Sequence, residues 1–367
     1  MQTEIMEKEL SVVEEPQLDF LYYPKTNLKP AEEKETLNVL SLFSGCGGMD
    51  LGFEGGFSVL QQSINEILTP HFIDKKLKNG FLQLKKTKFK TVFANDILID
   101  ARNAWVNHFS KKGHNSEDFY KDSIVDLVKM YRNGVNVFPE DIDVVTGGFP
   151  CQDFSVAGKR NGFTSHKNHK GELIENETAS AETRGQLYMW MKEVIEITQP
   201  KIFIAENVKG LVNLGDVKSI IQKDFSSANG NGYIVLDPQV LHSANFGVPQ
   251  SRERVIFIGI KKSALKKSVL AELEKDIISE QYNPYPKPTH SYTVEGKNLK
   301  HFVQLKDVFK HLDEPENTED LSQKFYSKAK FMGVSLRVGL SVPSPRSFLA
   351  VGFPLLSLTQ LKPNQLN

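Results

Sequence analysis

The sequence predicts an α/β protein built on a parallel, doubly wound sheet. Short apolar runs, each long enough for one buried strand, recur at 37–43, 91–96, 142–148, 201–207 and 254–260. Helical patterns lie between them, and the clearest, QLYMWMKEVIEITQP, has an apolar face and ends at Pro200. Strands that alternate with helices form parallel sheets covered on both faces, so this order predicts the doubly wound arrangement.

The composition is that of a globular protein, with 367 residues of which 40% are hydrophobic and 25% charged. No apolar run reaches the roughly 18 residues of a membrane span, and the acidic start MQTEIMEKELSVVEEP differs from a signal peptide. We therefore expect no membrane association and a cytoplasmic location. The zero formal net charge neither indicates nor excludes nucleic acid. Two distant cysteines predict no disulfide framework and no metal site.

Changes in composition and hydrophobic pattern along the chain predict three parts. Residues 1–36 form an acidic arm of a composition compatible with disorder, 37–262 form the main α/β domain, and 263–367 form a smaller, incomplete domain. The last stretch has no Asp or Glu after Asp320 and no amphipathic pattern. Within the main domain, KKLKNGFLQLKKTKFK at 75–90 is predicted to be a solvated loop or helix face, with a nucleic-acid-binding patch as the alternative.

Unusual residues end or follow the first four predicted strands of the main domain. FSGCGG at 43–48 ends the first strand, Asp96 ends the second, Cys151 follows the third, and Glu206 and Asn207 end the fourth. Ligands of open α/β sheets bind at the carboxyl ends of the strands. The sequence therefore predicts one crevice that contains all of these side chains.

The glycine-rich turn and Asp96 indicate a ligand with a ribose. A strand, a G-x-G-G turn and a helix bring backbone amides close to a ligand, although a plain tight turn is the alternative. Asp96 could hold two ribose hydroxyls. It lies further along the chain than the usual gap of about 20 residues, because 60–90 is inserted between the turn and Asp96. These residues alone leave the identity of the cofactor open.

Cys151 and Glu206 indicate a nucleophile and an acid. Pro150 stiffens the turn GGFPCQDFS, so that the Cys151 thiol is presented and can act as a nucleophile once it loses its proton. The motif contains no His, which disfavours a cysteine protease. Burial at the end of a strand should raise the pKa of Glu206 and keep it protonated. The alternatives are a buried inert thiol and a structural carboxylate.

Arg252 and Arg254 lie two residues apart in GVPQSRERVIFIGI, at the entry to a predicted strand. Residues two apart on a strand point to the same side. Two guanidinium groups on one side suit a phosphate or a carbonyl oxygen. A surface ion-pair strand is the alternative.

The motifs FSGCGGMDLGF, GGFPCQDFS, AENVKGL and NFGVPQSRERVIFIGI, in this order, resemble those of the cytosine-5 DNA methyltransferases over roughly residues 38–261. The resemblance implies a Rossmann-like sheet with S-adenosyl-L-methionine as cofactor. It implies double-stranded DNA as substrate, commonly within a restriction-modification system. It also implies a target-recognition domain after the catalytic domain, which corresponds to 263–367 here.

The resemblance assigns the cofactor contacts residue by residue. They are Phe43 on the adenine ring, Gly45, Gly47 and Gly48 as the backbone cradle, Asp96 at the ribose, Asp122 at the adenine amino group, and Pro150 and Leu187 as further contacts. Two positions depart from the family pattern. Ile97 replaces an aromatic residue and Ser123 replaces an isoleucine, so adenine packing should be weaker.

The resemblance also implies the chemistry. The Cys151 thiolate adds to C6 of cytosine, Glu206 protonates N3 or hydrogen-bonds to it, C5 takes the methyl group, and β-elimination after loss of the C5 proton releases the thiol. The target base has to be flipped out of the duplex. The remaining roles are Asn207 as the residue that orients the Pro-Cys loop, Arg252 and Arg254 at the base oxygen and phosphate, and Gln152 and Ser155 on a loop that closes over DNA.

The motifs that follow the recognition domain in this family, including Gly-Asn-x-Val, have no counterpart here. We therefore expect a truncated or frameshifted C-terminus. The alternative to an active enzyme is an inactive fragment, or the catalytic subunit of a split methyltransferase that needs a second chain. RNA methylation and nicotinamide-dependent dehydrogenation are disfavoured, because neither explains the set of motifs.

Overall fold

The computed structural model describes residues 34–150, 187–293 and 298–309. Its strands are β1 (Leu37–Leu42), β2 (Ser58–Leu60), β3 (Ile73–Lys76), β4 (Phe81–Leu84), β5 (Phe89–Asn95), β6 (Phe119–Tyr120), β7 (Val144–Gly147), β8 (Ile202–Val208), β9 (Tyr233–Val235), β10 (Gln239–His242), β11 (Glu253–Lys261), β12 (His290–Ser291) and β13 (Lys300–His301). Its helices are α1 (Gly48–Glu54), α2 (Ile99–Phe109), α3 (Ile124–Arg132), α4 (Leu187–Thr198), α5 (Val217–Ser226), α6 (Ala228–Asn231), α7 (Lys267–Leu273) and α8 (Leu305–Phe309).

The main sheet has eight strands in the order β10-β11-β8-β7-β1-β5-β6, with β9 also paired to β11. The five strands from β8 to β6 run parallel to their neighbours. In contrast, β11 is antiparallel to β8, β9 and β10. The doubly wound α/β class is confirmed, but the prediction of an all-parallel sheet is wrong at β11. A strand buried on both faces has the same apolar run in either direction, so its direction is not visible in the sequence.

Helices cover both faces of this sheet. On one face, α3, α4 and α5 pack on inward side chains such as Leu40, Phe203 and Phe257. On the other face, α1 and α7 pack on the alternate residues of the same strands, among them Val39 and Ile256. The two cores therefore hold the sheet rigidly from both sides and fix the positions of its strand ends.

A second sheet is inserted between α1 and β5, with three antiparallel strands in the order β2-β4-β3. Its core contains Leu82 and Leu84, which are almost fully buried. Much of the lysine-rich stretch 75–90 is therefore strand rather than the expected loop or helix face, while its lysines are exposed. The four residues of β4 are too few to show the alternation of apolar and polar residues that is typical of a strand. The strand was therefore not predicted within this lysine-rich stretch.

After β11, the chain runs through α7 and then back along the sheet. The Tyr285 hydroxyl, buried with its ring, donates to the carbonyl oxygen of Ile256 at 2.9 Å. The proline-rich linker of 282–290 is thus packed on the main sheet in its middle part. No helix within the described residues has the length and apolar character needed to cross a bilayer.

Candidate functional site

The predicted site residues lie at the carboxyl ends of adjacent parallel strands. From β1 the sheet extends through β5 to β6 on one side, and through β7 to β8 on the other. A strand order that reverses in this way opens a crevice at the carboxyl ends, which is where ligands of such folds bind. Most of the described site residues are found at this edge.

The turn after β1 has an unusual backbone. Phe43, Gly45 and Gly47 all have positive φ angles, of 51°, 56° and 86°. For Phe43 this conformation is strained, and such strain concentrates at functional turns. A β-carbon on Gly47 would lie 2.4 Å from a ring carbon of Phe109. Gly47 is therefore required by its φ and by the close packing of the turn on α2, whatever the cradle binds.

Asp96 ties the glycine turn to the end of β5. Its carboxylate accepts hydrogen bonds from the backbone amides of Gly45 and Leu98, both at 3.0 Å. The Ser44 amide donates to the Asn95 carbonyl oxygen at 2.8 Å. The two hydrogen bonds from Gly45 and Leu98 fix the Asp96 carboxylate at the carboxyl end of β5, beside the glycine turn.

Asn95, a residue that the sequence did not single out, fixes the neighbouring strand end. Its side-chain amide donates to the carbonyl oxygens of Tyr120 and Asp122, at 2.9 and 2.8 Å. The Asp122 side chain is exposed. Ile97 and Leu98 expose 37% and 61% of their surface directly after Asp96. A carboxylate beside exposed apolar surface suits a ligand that carries hydroxyl groups and also a flat apolar ring.

Glu206 and Arg254 form an ion pair at the β8 side of the crevice. The two side chains lie diagonally across the β8–β11 pair, because Ile256 is opposite Glu206 and Arg254 lies two residues before Ile256. The Arg254 Nε lies 2.7 Å from a Glu206 carboxylate oxygen, and the two side chains are 19% and 15% exposed. Antiparallel pairing of β11 thus brings the second arginine of the motif onto the carboxylate.

Burial raises the pKa of Glu206, while the positive charges of Arg254 and Arg252 oppose this shift. The loss of hydration is the largest effect, so the net direction is upward, as the sequence predicted. Both arginines therefore act electrostatically on one carboxyl group. Arg252 is held by the turn before β11, where its backbone amide donates to the Ser243 hydroxyl at 3.2 Å.

Gly148 and Asn207 connect Glu206 to the segment before the cysteine. A β-carbon on Gly148 would lie 3.1 Å from a Glu206 carboxylate oxygen. Asn207, almost fully buried, donates from its side chain to the Phe149 carbonyl oxygen at 3.3 Å. Its side-chain oxygen accepts from the Val208 amide at 2.8 Å. Gly148 was missed in the sequence, although the doubled glycine of GGFP marks a close approach.

Of the remaining predicted site residues, some lie within the described part of the chain and others lie outside it. Pro150 follows the anchored Phe149 and is partly exposed. Leu187 begins α4 and is buried in the main core, 3% exposed. Cys151, Gln152 and Ser155 lie outside the described residues. The structure thus brings Glu206, Asn207 and the two arginines together beside the backbone that leads directly into Cys151.

Comparison with known proteins agrees with this arrangement. The model of the C-5 cytosine-specific DNA methylase family matches residues 76–341. The type II methyltransferase M.BsuRI of Bacillus subtilis is 36% identical over 74% of this chain and 50% of its own length. M.BspRI of Lysinibacillus sphaericus is 32% identical over 75% of this chain and 52% of its own. M.Sau96I of Staphylococcus aureus is 28% identical over 83% and 59%.

The chain spans about half the length of these curated relatives. The family match covers most of the chain, including β8, β11 and the residues that form the Glu206–Arg254 pair. The motif order and this match lead to the same assignment. The chain belongs to the C-5 cytosine-specific DNA methylase family.

Proposed function

We propose that this chain is a DNA (cytosine-5-)-methyltransferase, which transfers a methyl group from S-adenosyl-L-methionine to C5 of a flipped-out cytosine in duplex DNA. The observation that carries the proposal is the buried Glu206 carboxyl group, paired with Arg254 and next to Gly148. Gly148 lies three residues before Cys151. A protonated carboxyl group beside a presented thiol is the pair that addition to cytosine requires.

The residues on the other side of the crevice fit the cofactor. The Asp96 carboxylate, which accepts from the amides of Gly45 and Leu98, lies at the strand end where ribose hydroxyls would bind. The turn that contains Phe43, Gly45, Gly47 and Gly48 would face the rest of the cofactor. Further contacts with the cofactor would come from Asp122, Pro150 and Leu187. When bound, S-adenosyl-L-methionine supplies an activated methyl group for C5.

The side chains of this protein would carry the remaining chemistry. The Cys151 sulfur would bond to C6 of the flipped base, while Glu206 holds a proton at N3 and draws charge off the ring. After C5 has taken the methyl group, loss of the C5 proton and breakage of the sulfur–C6 bond would restore the aromatic ring and free the thiol. Burial raises the pKa of Glu206, which favours the protonated form that this role needs.

The other residues would position the base and the DNA. Asn207 would hold the Pro-Cys segment through the Phe149 carbonyl oxygen. Arg252 and Arg254 would bind the base oxygen and a nearby phosphate, while Gln152 and Ser155 would close over the DNA. The likeness to type II methyltransferases supports a restriction-modification setting, and a cytoplasmic location is part of the proposal.

The second candidate is an inactive fragment, or the catalytic subunit of a split enzyme. In that case, residues 263–367 form only part of a target-recognition region, and a second chain supplies the rest.

Methyl transfer tests the proposal directly. Purified chain is incubated with methyl-labelled S-adenosyl-L-methionine and mixed-sequence duplex DNA, with C151S as the matched control. Label in the DNA that is absent with C151S is the expected result. A folded protein that binds the cofactor but gives no label would refute an active chain. Addition of a candidate second chain would then separate the split enzyme from the inactive fragment.

A further inference from the structure

Three distant parts of the chain meet beside the inserted sheet. They are the loop 61–65 that follows β2, the turn 243–252 that leads into β11, and the described residues 289–293 and 298–303, called here the third segment, which lie in the first half of the predicted recognition region 263–367. The turn holds Arg252 through Ser243. None of these contacts involves the catalytic carboxyl group.

Asn65 joins the loop to the third segment. Its side chain is buried, 1% exposed. Its amide group donates to the carbonyl oxygens of Thr289 and Asn298, at 3.0 and 2.7 Å. Its side-chain oxygen accepts from the amides of Ile67 and Leu68, at 3.2 and 3.3 Å. All four hydrogen-bonding positions of the side chain are used, so the loop and the segment are fixed in one arrangement.

Lys300 and His290 reach back from the segment to the same loop. The Lys300 ammonium group donates to the carbonyl oxygens of Gln61 and Ile64, at 3.2 and 2.6 Å. His290 is fully buried and its Nε2 donates to the carbonyl oxygen of Gln62 at 2.8 Å. Three carbonyl oxygens within residues 61–64 therefore accept hydrogen bonds from side chains that lie more than 220 residues further along the chain.

Gly247 places the turn against both of the others. A β-carbon there would lie 2.1 Å from the Ser63 carbonyl oxygen and 2.7 Å from a ring carbon of His290. The Thr289 amide donates to the Asn245 carbonyl oxygen at 2.8 Å. The loop, the turn and the segment are thus in direct contact, with no space for even a methyl group between them.

We propose that the inserted sheet is a positioning element for DNA recognition, in which Asn65 and Lys300 hold residues 289–293 and 298–303 against the turn that carries Arg252. The proposal rests on the proposed function. It adds a role for the insertion, which fixes the first half of the predicted recognition region relative to Arg252 and Arg254. Asn65 and Lys300 contact neither base nor cofactor, so they are positioning residues.

Hydrogen exchange tests these contacts without a measurement of methyl transfer. In N65D, a carboxylate faces two carbonyl oxygens, and in K300M both donated bonds are lost. We expect the amides of Thr289, Lys300 and Phe302 to exchange about tenfold faster in both variants, with amides of β1 and β8 unchanged. S58A is the control, because it removes a hydrogen bond to Gln83 inside the inserted sheet. Unchanged exchange at 289–302 in N65D and K300M would overturn the proposal.

Steady-state kinetics test the function of the contacts. We expect N65D and K300M to raise the KM for mixed-sequence DNA about tenfold, with kcat and the KM for S-adenosyl-L-methionine within about twofold of wild type. K300R keeps the donors and should restore the KM for DNA. Faster exchange with an unchanged KM for DNA would refute the positioning role. If wild type transfers no methyl group, the proposed function fails by itself, and the Kd for the same DNA replaces the KM.

Discussion

The two sides of the crevice are built by different means. At the ends of β7 and β8, the site consists of charged and amide side chains at buried positions, with Glu206 paired to Arg254 and Asn207 anchored to Phe149. At the ends of β1 and β5, it consists mainly of backbone, with Gly45 in a positive-φ turn held by the Asp96 carboxylate. One side concentrates charge and the other shapes a cradle.

This difference predicts which kinetic constant a mutation on each side of the crevice should change. Side chains at a buried strand end can stabilise charge that develops during a reaction, because the surroundings are poorly hydrated. A backbone cradle at the crevice edge binds a ligand in much the same way before and during the reaction. Changes on the β7–β8 side should therefore lower kcat, whereas changes on the β1–β5 side should raise the KM for the cofactor.

The largest expected effect is on the β7–β8 side. E206Q keeps the shape of the side chain but replaces a carboxyl group, which can take up and give up a proton, with an amide that does not titrate. We expect methyl transfer to fall by about 10²- to 10⁴-fold, the usual contribution of a general acid, while the Kd for S-adenosyl-L-methionine stays the same. The measurement is single-turnover transfer of labelled methyl groups, with cofactor binding measured by calorimetry.

E253Q is the matched control for this variant. Glu253 lies next to Arg254 in the chain, is 44% exposed and pairs with Lys209 at 2.7 Å. Exposed ion pairs contribute little, so its rate and stability should stay close to those of wild type. Equal losses in E206Q and E253Q would show that general damage to β8 and β11, rather than acid chemistry, is responsible.

The second largest effect concerns a buried carboxyl group on the other side. Asp50 lies in α1, directly after the glycine turn, and is fully buried. Burial raises its pKa from 3.8 to about 6, although hydrogen bonds from Ser41 and Trp105 oppose the shift. The Trp105 indole donates to its carboxylate at 2.7 Å. Unlike Glu206, Asp50 has no arginine among the groups that shift its pKa.

The sign of the pH dependence follows from this raised pKa. The folded protein binds the Asp50 proton more tightly than the unfolded chain does, so the free energy of unfolding falls as pH rises from about 4 to about 6 and stays low above that. D50N keeps an acceptor for Trp105 and removes the titration. It should gain up to about 3 kcal/mol relative to wild type over this range. Urea unfolding at several pH values measures it, and a pH-independent difference would contradict it.

The third effect, also on the β7–β8 side, distinguishes the role of Asn207 in holding the Pro-Cys segment from its contribution to the stability of the fold. N207A leaves the partly buried Val208 amide without its acceptor, which should cost about 1–3 kcal/mol of unfolding free energy. N207D keeps that acceptor but turns an oxygen toward the Phe149 carbonyl. We expect both variants to lose about tenfold in kcat, and N207A to have the lower Tm. If N207D transfers methyl groups at the wild-type rate, Asn207 does not hold the Pro-Cys segment.

The sequence predicted the strand ends well and the partners of those ends poorly. Glu206 and Asp96 follow apolar runs that any buried strand shows, so their place in one crevice follows from local pattern and the rules of parallel sheets. The direction of β11 and the contacts of Asn65 could not be predicted. The oxygens that Asn65 binds lie 224 and 233 residues away in the chain, and no local periodicity records such a pairing.

The smallest effect tests the backbone side of the crevice. D96N keeps the size of the side chain and one carboxamide oxygen, so it can accept from either the Gly45 or the Leu98 amide but not from both. The glycine turn should loosen, and one acceptor for the ribose hydroxyls should be lost. We expect the KM for S-adenosyl-L-methionine to rise about tenfold, with kcat at saturating cofactor within about twofold of wild type. D100N, on the exposed first turn of α2, is the control. A loss confined to kcat would mean that Asp96 acts during the reaction, and the contrast between a charged side and a backbone side would then fail.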